Sequence, residues 1–481
     1  MNKPVKLVIS RRMMFANVGH RPVTQQRIRL SALPEGKLTS LQQDYINHTS
    51  ILDDYKEDCG EATAHMYSTP NLRITSSLAR RNVGTPTAMR GPGAVPGLFA
   101  LESAMDELAI KLHMDPVQLR LLNEPKIDEG LNVPFSSRHL KECFNTGMDT
   151  FGWSKRTPMV GSMKRGGLTL GWGMAAATWQ AQRFPCHAAV ELRDDGTARV
   201  ACGTQDIGTG TYTILAQVAA EKLGITVEKV HVDLGDTNLP AGPISGGSMV
   251  TASVIPAVCE AVAKAVETLI NTAAKVKYTS HKPDGLAFTN GHVHVKGEPA
   301  QKGMWFADVL KHAKQKLITG RGFSASTMGK EKPKVSSNSY GAHFVEVTWQ
   351  PEIARLRVSR VLTVIDAGRI LNPLPGRNQI EGAVVMGIGM ALLEETQYDQ
   401  RQGASMNANL ADDLVATHAD VPKLEVHFLD YPDTHLNEFG ARGIGEIGLA
   451  GTAAAIANAV YHATGVRVRK LPIKIEHLLG K

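Results

Sequence analysis

The feature that most limits what this chain can fold into is an order of elements that occurs twice. HAAVELRDDGTARVACGTQDIGTG (187–210) reads as two strands about Asp195-Gly196 running into a glycine-rich loop. TYTILAQVAAEKLG (211–224) has helical periodicity and stops at Gly224, and VEKVHVDLGDT (227–237) returns as a strand. The second occurrence has AHFVEVTWQPEIARLRVSRVLTVIDAG (342–368) as paired strands and GRILNPLPGRN (368–378) as a loop. QIEGAVVMGIGMALLEE (379–395) follows as a helix and LEVHFLD (424–430) as a strand. Hairpin, loop, helix and strand in both places predict an α+β protein with two related lobes. The expected boundaries are an α+β segment at 1–158, a first lobe at 159–276, a polar, turn-rich insertion or linker at 277–338, and a second lobe at 339–481.

Within the first segment, TQQRIRLSALPEGKLTSLQQDYI (24–46) reads as a hairpin about Pro34-Glu35-Gly36. GLFALESAMDELAIKLHMDP (97–116) reads as an amphipathic helix with Leu101, Met105, Leu108 and Leu112 on its core face. A net charge of +7 would permit a polyanionic partner, but the basic residues are scattered and aromatics are only 5%. Nucleic-acid binding is therefore not expected. No run approaches the roughly 18 apolar residues of a membrane span. SRRMMF (10–15) is rejected as a twin-arginine export signal, because ANVGHRPVTQQR and not an apolar segment comes after it. The five cysteines include no C-x-x-C pair, which gives the chain no zinc or iron–sulfur pattern of its own.

Four loops carry candidate chemistry. GIGEIG (443–448) has G-x-G-x-x-G spacing, but the polar stretch before it is not a strand and no acid lies 20 residues on, so a dinucleotide turn is rejected. The same glycines would let the backbone approach a ligand closely while presenting Glu446 beside it. A helix beginning near Leu449 offers the bland alternative, in which Glu446 only interacts with that helix's N-terminus. Spacing alone leaves both readings open. AMRGPGAVPG (88–97) places Arg90 between a methionine and a glycine. GTQDIGTGTYT (203–213) and PISGGSMVTAS (243–253) offer backbone N–H groups and small hydroxyls suited to phosphate or polar heteroatoms. Each loop alone is more often structural, whereas four at equivalent places in two lobes point to one large polar cofactor between the lobes. No H-E-x-x-H, G-x-S-x-G or Walker pattern supports a hydrolase or NTPase.

Four stretches in this order carry a family resemblance: AMRGPGAVPGLFALESAMDELAIKLHMDPVQLRLLNEP, GTQDIGTGTYTILAQVAAEKLG, NQIEGAVVMGIGMALLEE and GARGIGEIGLAGTAAAIANAV. Over nearly its whole length the chain resembles the molybdenum-binding subunit of the xanthine oxidase family, of the bacterial aldehyde oxidoreductase and xanthine dehydrogenase type. The resemblance implies that Met89, Arg90 and Gly91 face the molybdenum centre, with Arg90 taking part in catalysis. It implies that Thr204, Asp206, Gly208, Thr209 and Gly210, together with Gly247, Ser248, Met249 and Val250, contact a molybdopterin cofactor in its cytosine dinucleotide form. Many relatives have glutamine at the position of Thr209. Gln379 matches a glutamine that hydrogen-bonds the pterin, and Glu446 matches the general base, its carboxylate raised by burial toward neutrality. The metal is held through the pterin and not by side chains. Iron–sulfur clusters and FAD are expected on partner subunits.

The implied activity is oxidation of aldehydes to carboxylic acids. The alternatives are purine or N-heteroarene hydroxylation and a non-catalytic remnant that keeps the lobes. Aldehydes are favoured because DYKEDCGEATAH (54–65) offers no arginine for a purine. The implied location is the cytoplasm, or the periplasm if an exported partner carries the chain. Residues 1–20 resemble the segment that comes directly after a GGGFGG loop in the family. The chain is thus expected to match the C-terminal two-thirds of a catalytic subunit, with a fragment, a split subunit and a misplaced start codon as open alternatives.

Overall fold

The computed structural model describes residues 3, 5–329 and 332–479. A short helix (α1, Arg11–Asn17) leads into the expected hairpin, formed by β1 (Thr24–Ala32) and β2 (Leu38–Ser50). Its turn closes through Gly36, which takes φ +94° and donates its N–H to the Leu33 carbonyl at 2.8 Å. After α2 (Thr63–Met66), β3 (Leu72–Arg81) joins β2 in parallel. Three helices come next: α3 (Ala94–Lys111), α4 (Pro116–Leu122) and α5 (Leu140–Phe151). Leu101 and Met105 of α3 are fully buried, and Leu108 and Leu112 pack against the same core, as the periodicity predicts. Asp115 caps α4 by accepting the N–H groups of Val117 and Gln118.

The next stretch is β4 (Lys164–Arg165), β5 (Leu168–Gln180), β6 (Cys186–Arg193), β7 (Ala198–Cys202), α6 (Thr211–Leu223), β8 (Val230–Leu234) and α7 (Val250–Val276). A small sheet of β9 (Leu286–Thr289), β10 (His292–Val295) and β11 (Met304–Trp305) precedes α8 (Phe306–His312) and β12 (Leu317–Ser324). The second unit has β13 (Asn338–Gln350), β14 (Arg355–Asp366), α9 (Pro373–Leu392), β15 (Lys423–Leu429), α10 (Thr452–Thr464) and α11 (Glu476–Leu479). Helix α9 starts six residues earlier than expected. Its prolines Pro373 and Pro375 lie in the first turn, where a missing N–H breaks no helical hydrogen bond.

Both expected lobes form, and each contains the same pairing: an antiparallel hairpin whose second strand takes the return strand in parallel, β7 with β8 and β14 with β15. Their outer strands are exchanged. β5 directly precedes β6 in the chain but pairs with β13 of the second lobe, while β12 directly precedes β13 but pairs with β6 of the first. The sheet orders are thus β12-β6-β7-β8 and β15-β14-β13-β5-β4. Within 277–338, expected as an insertion or linker, residues 317–324 supply this edge strand.

The likeness extends to packing. α7 lies on β12 and β6, and α10 lies on β5 and β13. Each exchanged strand carries a G-x-G whose period of two puts both glycines on one face. A Cβ at Gly320 or Gly322 would stand 1.9 or 2.0 Å from the Ala261 or Ala257 carbonyl of α7. At Gly171 or Gly173 it would stand 2.0 or 2.2 Å from the Ala459 carbonyl or amide nitrogen of α10. Alanines spaced by four on the helices face glycines spaced by two on the strands, so helix and sheet backbones touch without intervening side chains. The five cysteines are buried and unpaired. Among the described residues, no helix is long and apolar enough to cross a membrane.

Candidate active site

Each lobe sends two loops to one place: the loop after its hairpin (203–210 and 367–372) and the loop after its return strand (235–249 and 430–451). Together with 88–92 ahead of α3, they border a cavity of about 670 Å³. The two equivalent later loops come into backbone contact, where a Cβ on Gly443 would lie 1.9 Å from the Ser248 carbonyl oxygen. Only glycine permits that contact.

The first loop is organised from within. Asp206 Oδ1 accepts the N–H groups of Gly208, Thr209 and Gly210 at 2.8, 2.9 and 3.3 Å, and Oδ2 accepts that of Tyr212. Burial pushes this carboxyl up, but the backbone donors prevail and hold it below the usual range. Thr204 is fully buried and donates to the Pro243 carbonyl at 2.7 Å, tying the two first-lobe loops together. Thr204, Asp206, Gly208 and Gly210 therefore shape the loop, and of this group Thr209 borders the cavity. Gly247, Ser248, Met249 and Val250 all border it. Trp179 Nε1 holds the Gly247 carbonyl at 2.9 Å, and Ser248 adopts φ +59°, a left-handed conformation uncommon for serine. Its hydroxyl is buried with no hydrogen-bond partner.

The Glu446 loop is anchored at its root by Arg442, whose guanidinium is fully buried and bonded to the Asp366 carboxylate and the Asn338 carbonyl. Ser339 Oγ adds a bond to the Gly443 carbonyl at 2.9 Å. Helix α10 begins at Thr452 and not near Leu449. Its N-cap is Gly451 at φ +85°, and turns occupy 445–450. Glu446 is thus a full helical turn too early to cap it. The carboxylate borders the cavity instead, and its Oε2 is buried without a hydrogen-bond partner. Burial raises the carboxyl to about 7, opposed by the Gly247 N–H, Arg90, the Gly91 N–H and Arg21.

Arg90 joins two walls of the cavity. Its Nε donates to the Gly445 carbonyl at 2.6 Å, and Nη2 donates to the Gln379 carbonyl at 2.9 Å and to Gln379 Oε1 at 3.3 Å. Met89 is partly exposed at the cavity edge, and Gly91 is buried behind it. Met89, Arg90, Thr209, Gly247 to Val250, Gln379 and Glu446 are thus brought to one cavity. Sequence reasoning did not single out its apolar side, Trp179, Phe184, Ile207 and Ile244, or Arg369 and Arg442. Nothing in the local pattern marks these apart from ordinary strand and loop residues.

The donor set suits a large polar heterocycle with phosphates. It has backbone N–H groups on two glycine loops, orphaned oxygens at Ser248 and Glu446, and the cations Arg90 and Arg369. Among the described residues, no group of three or more His, Cys, Asp or Glu could hold a metal ion.

Two models described as molybdopterin cofactor-binding domain match residues 1–124 and 146–422, and the chain belongs to that family. Among named relatives, it is 38% identical over 480 residues to the aldehyde oxidoreductase molybdenum-binding subunit PaoC of Escherichia coli (strain K12), covering 100% of this chain and 63% of that protein. It is 30% identical to the xanthine dehydrogenase molybdenum-binding subunit of Escherichia coli O157:H7, covering 99% and 64%. The aldehyde oxidoreductase structure from Desulfovibrio gigas superposes with TM-score 0.80 at 25% identity over 98% of this chain and 50% of that one. Quinoline 2-oxidoreductase from Pseudomonas putida 86 shares the fold, with TM-score 0.86 at 22% identity over 98% and 64%. The chain spans about 63% of the length of the first relatives it matches.

Proposed function

We propose that this chain is the molybdopterin-binding catalytic part of a molybdenum hydroxylase that oxidises aldehydes: RCHO + H₂O → RCOOH + 2H⁺ + 2e⁻. The observation that carries the proposal is Glu446, a buried carboxylate raised to about 7, with an unpartnered oxygen at a cavity formed by both lobes. When bound, the molybdenum–pterin group supplies the two-electron redox chemistry. The backbone N–H groups of Ser248 and Val250, the Thr209 hydroxyl and the Gln379 amide would hold it, in the cytosine dinucleotide form. Asp206 and Thr204 keep those loops in shape.

Glu446 takes up a proton at Oε2. Its poise near neutrality leaves a fraction ionised and able to accept at working pH. Arg90 fixes the height of Glu446 by clamping Gly445 to Gln379. Its charge also favours the ionised carboxylate. The apolar wall of Trp179, Phe184 and Ile244 limits water around the site. The greater identity to an aldehyde oxidoreductase subunit than to a xanthine dehydrogenase subunit supports an aldehyde substrate. Iron–sulfur and FAD subunits are the proposed electron acceptors, since no cysteine pattern here suits a cluster. The unpaired thiols suit a reducing compartment, the cytoplasm.

The test is co-expression with the iron–sulfur and FAD subunits and with the region the longer relatives have in addition, measuring molybdenum per chain and aldehyde-dependent dye reduction. A folded complex without molybdenum overturns the proposal.

A further inference from the structure

Behind the loop that carries Arg90 lies an ion pair that does not border the cavity. Arg21, just before β1, sends Nη2 to the Arg90 carbonyl at 2.6 Å and Nη1 to the Gly91 carbonyl at 3.4 Å. Glu57 stands opposite, 3.5 Å from Arg21 Nη1, its side chain wholly shielded from solvent. Its Oε2 accepts the Gly93 N–H at 2.7 Å, and its Oε1 accepts the Tyr55 hydroxyl at 3.3 Å. The Asn47 amide holds the Glu57 carbonyl at 2.7 Å. Carbonyls at 90 and 91 are thus gripped by a cation and the amide at 93 by an anion, three backbone groups within one tight turn.

We propose that Arg21 and Glu57 are the positioning pair of this site. They fix the 90–93 backbone against the Glu446 loop, and the Arg21 guanidinium adds a second positive charge behind that of Arg90 on the Glu446 side of the turn. This deepens the reading of Glu446 as the base and rests on it. The geometry gives Arg21 two routes to Glu446. One is mechanical: Arg21 holds the Arg90 main chain while the Arg90 side chain holds Gly445. The other is electrostatic: Arg21 favours ionised Glu446 and Glu446 favours charged Arg21. The groups facing Glu446 are the Arg90 and Arg21 guanidiniums and the Gly247 and Gly91 amides. Those facing Arg21 are Glu57, Tyr55, Cys59 and Glu446. Glu57 is the nearest anion to Arg21, so it moderates the charge Arg21 presents to the cavity.

The charge role and a purely structural role separate in Arg21→Lys, which keeps the charge and loses the fork. A variant that only admits water lowers the Glu446 titration midpoint, whereas one that draws away Arg90 or the Gly91 N–H, or removes the Arg21 charge, raises it. The experiment is a ¹³C-carboxyl titration of Glu446 in the full chain labelled at glutamate, with the resonance assigned by its absence in Glu446→Gln. Arg21→Gln is expected to move the midpoint up, by less than Arg90→Gln moves it. Glu57→Gln keeps an acceptor for Gly93 and removes the countercharge, and is expected to move it down. Arg21→Lys keeps the charge without the fork, leaving the midpoint in place while amide exchange at Gly91 and Gly93 speeds at least tenfold.

An unchanged or lowered midpoint in Arg21→Gln overturns the inference, and so does an Arg21→Lys midpoint raised as far as that of Arg21→Gln. If that variant does not fold, Arg21→Lys and Glu57→Gln decide, and a downward shift in both overturns it. Full turnover by a Glu446→Gln complex, with the Arg21 shifts intact, would reject the base reading and leave the positioning pair standing.

Discussion

Replacing Glu446 by glutamine separates function from stability with opposite signs. The carboxyl rises from 4.5 to about 7 on folding because burial disfavours its charge. A group raised on folding contributes stability that is complete below the unfolded value and is lost as pH climbs through the folded one. Above neutrality the folded chain therefore holds an ionised carboxylate at a cost of roughly 3 kcal/mol. Glutamine is neutral throughout. Glu446→Gln should match the wild type near pH 4.5 and exceed its stability by about 2–3 kcal/mol at pH 8. For a chain of this size unfolding as one unit, that is a Tm gain of about 3 °C. Turnover in the assembled complex should meanwhile fall about 10²–10⁴-fold, or 3–5 kcal/mol in the barrier, with molybdenum content unchanged. The assays are thermal unfolding from pH 5 to 8 and aldehyde oxidation at matched loading. A variant less stable than wild type at pH 8, or one with near-normal turnover, would refute the reasoning.

Arg442→Met leaves Asp366 buried without its cation and should cost about 3–5 kcal/mol in denaturant unfolding; a loss below about 1 kcal/mol would show that the pair is dispensable. Arg90→Ala removes charge-assisted bonds worth about 1.5–3 kcal/mol each, so Tm and molybdenum retention should fall together, and Arg90→Lys should not restore them. Gly322→Val should prevent folding because its Cβ enters the Ala257 carbonyl, whereas Gly285→Ala, with no atom within 4 Å, should change Tm by less than about 1 °C; soluble expression and thermal melts distinguish these outcomes.

What was legible in the sequence was local. Alternation about Pro34-Glu35-Gly36 and Asp195-Gly196, and a period of 3.6 at 97–116 and 211–223, produced the elements the structure contains. The repeated order of hairpin, helix and return strand is present in both units, and the glycine loops of both border the cavity. Strand partners were not legible: β5 and β12 look like the first strands of the hairpins they precede, and only long-range pairing sends each across. Arg21, Glu57 and Arg442 were missed because one charge in an irregular stretch has no period to reveal it. The start of α10 was misplaced because Leu449 and Ala450 favour helix, while the crowding of Gly451 against the Ala176 carbonyl delays it.

The crossed strands also decide how this molecule can breathe. Domains that enclose a ligand commonly swing apart about a hinge through linkers that break no sheet. Here the chain crosses between the two sheets twice, at 181–185 and 325–337, and the crossings are tied to each other by Ala181 N–H to the Ser337 carbonyl at 2.9 Å and Thr327 N–H to the Arg183 carbonyl at 3.1 Å. Each crossed strand lies wholly inside one sheet, so the sheets can turn about this paired seam without losing a strand. A bulky guest is then admitted by parting loop contacts such as Gly443 against Ser248. A chain cut between 276 and 277 behaves differently: one piece lacks β12 and the other β5, so each should aggregate singly and dissolve when both are made together.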